Sequence, residues 1–547
     1  MKKPILLFWL LMLSIISSNA QRPIYDSGGE LIPEQARMDV HFYDLSLEVD
    51  PEKQWIGGSL AVTFTMLEDH DKIILDLDTV FQVTDINWFR EGEEITTLWE
   101  RQEGQLHIYM GENIEKGRKI RVKVYYSGHP LSVEKPKKYS WADGFFWAQT
   151  EDGSPWVGNV SVLNGADIWW PCKDHPSDET DSMALNITVD EELTVATNGR
   201  LRSISDNKNG TRTHHWFIST PVNNYAVTLN IAPYKTVQST FTSVSGDTFP
   251  FIFWTVPEHY EQAKAHFHYF ERDMAFLEKL LGPYPFRADK YGVAETYYYG
   301  METQSIIAYG NDFRLNDYGF DFLHFHELAH EWFANMVTCR DWKHWWLHES
   351  FATYVESLYA EDLKGEEAYH RYAGQYAKRA QNNAPMVLDQ EHVSAREGYI
   401  SDVYSKGAAV LHTLRYLLGK KKMDTALRRM AYPSESLEKV TDGAHCRLSD
   451  SEEFQKIAEK QYGKSLEWFF YNYLMYKDIP VLKSSKKGKH LELAWEVPSD
   501  IPFEMPVEVR VGEKVKRVKM KNGKGKIKVG DKDFELDPRG WILCNKK

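Results

Sequence analysis

The hydrophobic pattern of this 547-residue chain changes period twice, and that change constrains the fold more than any other feature. Up to about Tyr234, apolar residues alternate in short runs such as MDVHFYDLSLEVD, SLAVTFTML, KIRVKVYYSG and ALNITVDEELTV, separated by Gly, Asp and Asn. Alternation puts apolar side chains on one face of a pleated strand, so this part reads as sheets packed face to face. From residue 258 the apolar positions recur three and four apart, first in HYEQAKAHFHYFERDMAFLEKLLG, which Gly282 and Pro283 stop. More helices are expected over 322–336, 348–360, 364–380, 404–418, 422–432, 450–461 and 465–476. From about Ser484 alternation returns in HLELAWEV, MPVEVRVG and KVKRVKM, spaced as in a small β-sandwich. The expected fold class is therefore multidomain α+β. A β-sandwich-like N-terminal domain fills 21–235, a helix-rich domain 236–483 and a C-terminal β-sandwich 484–547.

Residues 1–20, MKKPILLFWLLMLSIISSNA, carry two lysines, an apolar core and a small-residue end. That is the pattern of a signal peptide cut after Ala20, and it points to an exported chain in the periplasm or outside a bacterial-type cell. No cysteine lies near the cut, which argues against a lipid anchor, and no later run is long and apolar enough to span a bilayer. Cys172, Cys339, Cys446 and Cys544 are too few for a disulfide-built protein of this size. A formal charge of -14 with no long basic run argues against nucleic acid as a partner.

The chemistry concentrates in HFHELAHEW, residues 324–332. His326 and His330 stand one helical turn apart on one face. Zn²⁺ takes neutral imidazole nitrogens at about 2 Å in a tetrahedron, and this pair fills two corners. Glu327 is placed to take a proton from a water on the metal. The flanks Leu323, Phe325, Leu328, Ala329 and Trp332 are apolar, so the helix is buried and its polar groups need partners. Glu349, with 18 residues between it and His330, opens the run ESFATYVE and is the candidate third ligand. Glu356, two turns later, suits a hydrogen bond to a ligand histidine. His324 and His348 are weaker ligand candidates, since the first points off the face and the second neighbours the better carboxylate. Tyr404 starts a helix that can run toward the site and offers a phenol to a developing oxyanion.

With these residues in place the chain resembles the M1 family of zinc aminopeptidases, in the gluzincin group. HELAHEWFANMVT and WWLHESFATYVE are similar to the family's core block. Gly300-Met301-Glu302 resembles the centre of its exopeptidase strand, PCKDHPSD its Pro-Cys segment, and Tyr404 before Ser405-Lys406-Gly407 the position of its catalytic tyrosine. The resemblance implies a thermolysin-like catalytic domain with one Zn²⁺ per chain on His326, His330 and Glu349. It implies Glu327 as general base, Tyr404 as oxyanion donor, and Gly300, Met301 and Glu302 as the substrate-binding strand, with Glu302 holding the α-ammonium of peptide substrates. A zinc endopeptidase or dipeptide-releasing enzyme is the alternative, and a non-catalytic peptide-binding protein a third reading. The helical C-terminal domain of many members finds no room where the sandwich ends the chain, so a site more open to longer peptides is expected. Two departures stand out. Tyr299 and Thr303 replace the family's flanking Gly and Asn, and Val162 stands where an amine-binding Gln or Glu is usual. Either another group replaces it, with Glu151 and Asp152 as candidates, or recognition of the amine is weaker. Trp147 and the YYYG run at 297–300 are candidates to line the pocket for the first side chain.

Overall fold

The computed structural model describes residues 26–90 and 92–547. The expected signal peptide lies outside the described residues.

The N-terminal half is built on an eight-stranded sheet whose centre is the strand Met38–Asp50. Its alternating side chains bury Tyr43, Leu45, Leu47 and Val49 on one face. On one side it pairs antiparallel with Trp55–Met66, on the other parallel with Ser182–Asp190. A four-stranded sheet containing Gly144–Gln149 and Pro155–Val160, and a three-stranded sheet containing His70–Asp76, complete this half. Their apolar faces share one core that includes Leu45, Leu60, Ile187, Trp156, Trp169 and Trp170.

A five-stranded sheet follows, beginning with Lys235–Thr242. Its edge is the two-residue strand Gly300–Met301, antiparallel to Ile306–Tyr309. The long helix Tyr260–Leu281 packs on this sheet through Phe267, Phe270 and Met274. The helices then come as the apolar period expects, at Trp346–Lys364, Glu366–Arg379, Ser405–Leu418, Lys420–Ala431, Ser451–Tyr462 and Glu467–Leu474. One differs. The helix expected over 322–336 is regular only over Phe322–Ala329. Over Glu331–Met336 it opens into a wide turn with Phe333 at φ -116, ψ 77 and Ala334 at φ 155. The reason is local: the Phe333 carbonyl leaves the helical ladder and accepts the Nδ1–H of His330 at 3.0 Å.

The C-terminal sheets pair Val481–Lys487, His490–Glu496, Lys524–Lys528 and Asn545–Lys546 in one layer, and Val507–Val511, Lys514–Val518 and Phe534–Leu536 in the other. The expected division at 483/484 runs through the first of these strands. Leu491, Leu493, Val507 and Val509 between the layers join the core of the helices. Tyr473 donates to the Leu543 carbonyl at 2.8 Å across that junction. All four cysteines are free thiols. No helix among the described residues is long and apolar enough to cross a membrane.

Candidate metal centre

Two helices bring three donors together. The helix Phe322–Ala329 and its C-cap carry His326 and His330, and the buried helix Trp346–Lys364 carries Glu349. The Nε2 atoms of the two histidines are 3.2 Å apart. Glu349 Oε2 lies 3.4 Å from the first and 3.3 Å from the second. A tetrahedral Zn²⁺ with bonds of about 2.0–2.1 Å sets its ligand atoms about 3.3–3.4 Å apart, so the triangle has the size of one face of that tetrahedron.

The hydrogen bonds around the triangle point the same way. His326 donates from Nδ1 to Glu356 Oε1 at 2.9 Å, and His330 from Nδ1 to the Phe333 carbonyl. Both Nε2 atoms then present lone pairs inward, toward a carboxylate oxygen that has no hydrogen-bond partner. Three buried lone pairs facing one another at this distance repel unless a cation sits among them, so the residues present fit Zn²⁺. Among the described residues this is the one cluster of three such side chains with converging ligand atoms. Burial works against the Glu349 charge, and protons on the two imidazoles, in the place a cation would take, would hold its carboxyl well below the usual range. Glu356 is itself fixed by Tyr372, which donates to Oε2 at 2.9 Å, and by Tyr376.

The trio lines a cavity of about 390 Å³, together with Glu302, Glu327, Gly300 and Tyr404. Glu327 sits directly under the edge strand: a Cβ on Gly300 would fall 2.6 Å from its Oε1. Burial, offset in part by the imidazoles, pushes the Glu327 carboxyl up to about 8. Glu302, 6% exposed, is likewise raised by burial and by the neighbouring Glu349 charge. Its backbone carbonyl accepts from Asn335 at 2.9 Å, which fixes the end of the strand. Tyr404 caps the helix Ser405–Leu418, with its ring stacked 6.2 Å from that of His326. The residues after it explain its placement. A Cβ on Gly407 would lie 1.7 Å from Ser350 Oγ, so only glycine lets this helix close on the Glu349 helix. Lys406 donates to the carbonyls of Tyr476 and Lys477, and Ser350 to that of Val403. Burial first, then Glu349, hold the Tyr404 phenol well above its ordinary pKa, so it remains a donor.

Comparison with known proteins agrees with this geometry. The profile "Peptidase M1 N-terminal domain" matches residues 40–225 and "Peptidase family M1 domain" matches 267–441, together 361 of the 547 residues. The chain belongs to peptidase family M1. Leucine aminopeptidase 2 of the yeast Vanderwaltozyma polyspora is 24% identical over 409 residues, 70% of this chain. Aminopeptidase M1-B of rice is 26% identical over 179 residues, 31% of this chain. The chain spans 58% of the length of the first of these relatives and 19% of the second. Among solved structures, a mutant M1 zinc metallopeptidase from Deinococcus radiodurans bound to a Tyr-Ser-Ala substrate superposes with a TM-score of 0.65. It is 24% identical, and the match covers 82% of this chain and 98% of that one, a likeness of fold.

In this member of family M1 the two departures have structural consequences. Val162 does line the cavity, beside Trp141, Trp345 and Tyr399. Glu151 and Asp152 do not replace the missing carboxylate. They sit on an exposed turn, where the Glu151 N–H donates to Glu258 and Asp152 accepts from Thr150 and Ser154. That turn joins the paired strands Gly144–Gln149 and Pro155–Val160, and neither residue lines the cavity. Of YYYG only Tyr299 and Gly300 reach the cavity, while Tyr298 is buried and donates to the Asn159 carbonyl. Trp147 packs on Phe145 and donates to Ser132 instead. Thr303 turns its hydroxyl onto the Ile306 carbonyl. His324 is stacked on Phe270 and bonded to Asp273 and Tyr291, and His348 accepts the Cys339 N–H, so neither is a ligand. The aromatic wall of Trp141, Trp345 and Tyr399 escaped sequence reasoning because its members come from three distant segments.

Proposed function

We propose that this chain is a zinc-dependent aminopeptidase that releases single N-terminal residues from peptides. The observation that carries the proposal is the buried Glu302 carboxylate, which shares one cavity with the metal triangle and Glu327. A buried carboxylate is a strong anchor for a cationic α-ammonium, because a charge-assisted hydrogen bond there is little screened. The edge strand Gly300–Met301 has an open side on which a substrate backbone can add. Anchor and strand together fix how far into the cavity the chain enters, and so limit cleavage to the first peptide bond.

His326, His330 and Glu349 would hold the Zn²⁺, which would supply Lewis acidity toward the scissile carbonyl and the attacking water. Glu327 takes the proton from that water and returns it to the leaving amine. Tyr404, kept protonated by burial, donates to the oxyanion as it forms. The leader-like residues 1–20 support action on peptides outside the cytoplasm.

One observation favours a second reading. Val162 brings an apolar side chain into the cavity where a second polar partner would help Glu302, which would loosen recognition of the amine and permit endopeptidase or dipeptide-releasing action. Digestion of a free and an N-acetylated pentapeptide, with products followed by mass, tests the proposal. Loss of one residue at a time from the free peptide alone supports it. Comparable internal cleavage of the acetylated peptide overturns it.

A further inference from the structure

One wall of the metal cavity carries no charged side chain. Trp141, Val162, Met301, Trp345 and Tyr399 make it. They come from five segments of the chain, yet they pack as one surface. Val162, Met301 and Trp345 belong to a single buried cluster, with Trp141 packed against it. Trp141 stacks on Tyr399 with ring centres 5.8 Å apart and planes 12° from parallel, and Tyr399 lies 5.2 Å from Trp345. The surface is firmly backed, since Trp345 rests on Trp342 at 4.5 Å, and Phe146 and Tyr298 of the same cluster lie 4.9 Å apart. Val162, Met301 and Trp345 are buried, whereas Tyr399, 36% exposed, forms the lip.

The two ends of this wall meet the groups that handle the substrate. At one end Met301 finishes the edge strand and Glu302 follows it. At the other end Tyr399 lies edge-on to Tyr404, with ring centres 6.4 Å apart. The charged groups of the cavity stand elsewhere on its lining. Glu302, Glu327, Glu349 and Glu356 are its carboxylates, and Arg379, on the helix that carries Tyr376, is its one Lys or Arg.

We propose that this wall receives the side chain of the first substrate residue and selects peptides that begin with a large apolar residue, aromatic ones above all. The proposal rests on the aminopeptidase reading. With its amine on Glu302 and its carbonyl between the metal triangle and Tyr404, the first residue has its Cα between those two points. Its side chain then leaves along the surface that joins them. Each methylene moved from water onto such a surface strengthens binding about fourfold. A flat ring gains further from stacked or edge-on contact with Trp141, Trp345 and Tyr399. A side-chain carboxylate would meet the cavity's own glutamates, and a side-chain ammonium would be desolvated with no counter-charge on the wall.

Val162 thereby acquires a task. A carboxylate or amide at this position would set a polar group in the middle of the wall and hold water there. Valine, 2% exposed and packed with Met301 and Trp345, keeps the surface apolar from the edge strand to the lip. It is a specificity-determining residue of the site.

The test is kcat/KM of the zinc-loaded full chain for tripeptides X-Ala-Ala with X as Phe, Leu, Ala, Lys or Glu, products identified by mass. Phe and Leu should exceed Ala and Lys by about tenfold or more, and Glu by about a hundredfold. Trp141 is only partly buried, so Trp141→Ala should fold, and at matched zinc content its Phe-to-Ala ratio should fall by about fivefold or more. Val162→Glu, if its melting curve shows a folded chain, should raise Lys relative to Leu by about tenfold. Wild-type values within about threefold of one another across the series overturn the proposal, as does a Phe-to-Ala ratio unchanged in Trp141→Ala. The two readings fail differently. A flat series that still releases single residues sinks the wall alone, whereas internal cleavage of an N-acetylated peptide sinks the aminopeptidase reading.

Discussion

Gly300→Ala is the sharpest single perturbation of the catalytic arrangement. The position needs no special backbone, so the added methyl acts through space alone. It would arrive 2.6 Å from Glu327 Oε1 and 2.7 Å from Leu323 Cδ1, where ordinary contact begins at 3.4 Å. The carboxylate, or the strand, must therefore give way by about 0.8 Å. The strand is hydrogen-bonded on one side only, so part of the shift is absorbed there, and the rest moves the base. A displacement approaching 1 Å in a catalytic group costs on the order of 10²-fold, or about 2.7 kcal/mol of barrier. We expect kcat to fall about 30–100-fold with a smaller change in KM. Zinc content should stay at one per chain, because the ligands are held by Glu356 and the Phe333 carbonyl, which the methyl does not touch. Steady-state kinetics on an aminoacyl fluorogenic substrate, with metal analysis and a melting curve, measure all three. A kcat within about threefold of wild type at full zinc occupancy would refute the idea that Glu327 must sit against this strand.

Glu356→Gln removes the carboxylate that orients His326 and should raise the zinc dissociation constant roughly 10–100-fold, measured by competition with a chelator. Glu327→Gln should keep zinc but lose turnover by about 10²–10⁴-fold, so loss of metal in that variant would contradict its role as base. Asp174 carries a pH signature. Its folded pKa is raised from the usual carboxylate value to about 7, so its contribution to stability is full below about pH 4 and is lost as pH rises through about 7. The Tm of the wild type should therefore fall more steeply across that window than the Tm of Asp174→Asn, and equal slopes would contradict the assignment.

Local features of the sequence carried furthest. The strand Met38–Asp50 was legible because its residues alternate along most of its length, with one change of phase near Phe42. Its parallel pairing with Ser182–Asp190 was not, since nothing local specifies a partner some 140 residues away. His326, Glu327 and His330 were legible because helical spacing alone brings them together, and Glu349 and Glu356 because both lie on one later helix. The break after His330 was hidden: the apolar period continues through Phe333 and Met336, and only the need of His330 for a carbonyl partner breaks the ladder. Val162 was legible as a missing carboxylate but not as a member of an aromatic wall.

The central claim is that Glu302 reads the free amine and thereby makes a zinc peptidase an aminopeptidase. It is tested most directly by kcat/KM for one short peptide, free and N-acetylated, in the wild type and in Glu302→Ala at matched zinc content. A lost charge-assisted hydrogen bond of about 1.5–3 kcal/mol predicts a wild-type preference for the free peptide of at least tenfold, collapsing toward unity in the variant. A preference that survives Glu302→Ala unchanged, or is absent from the wild type, would contradict the account.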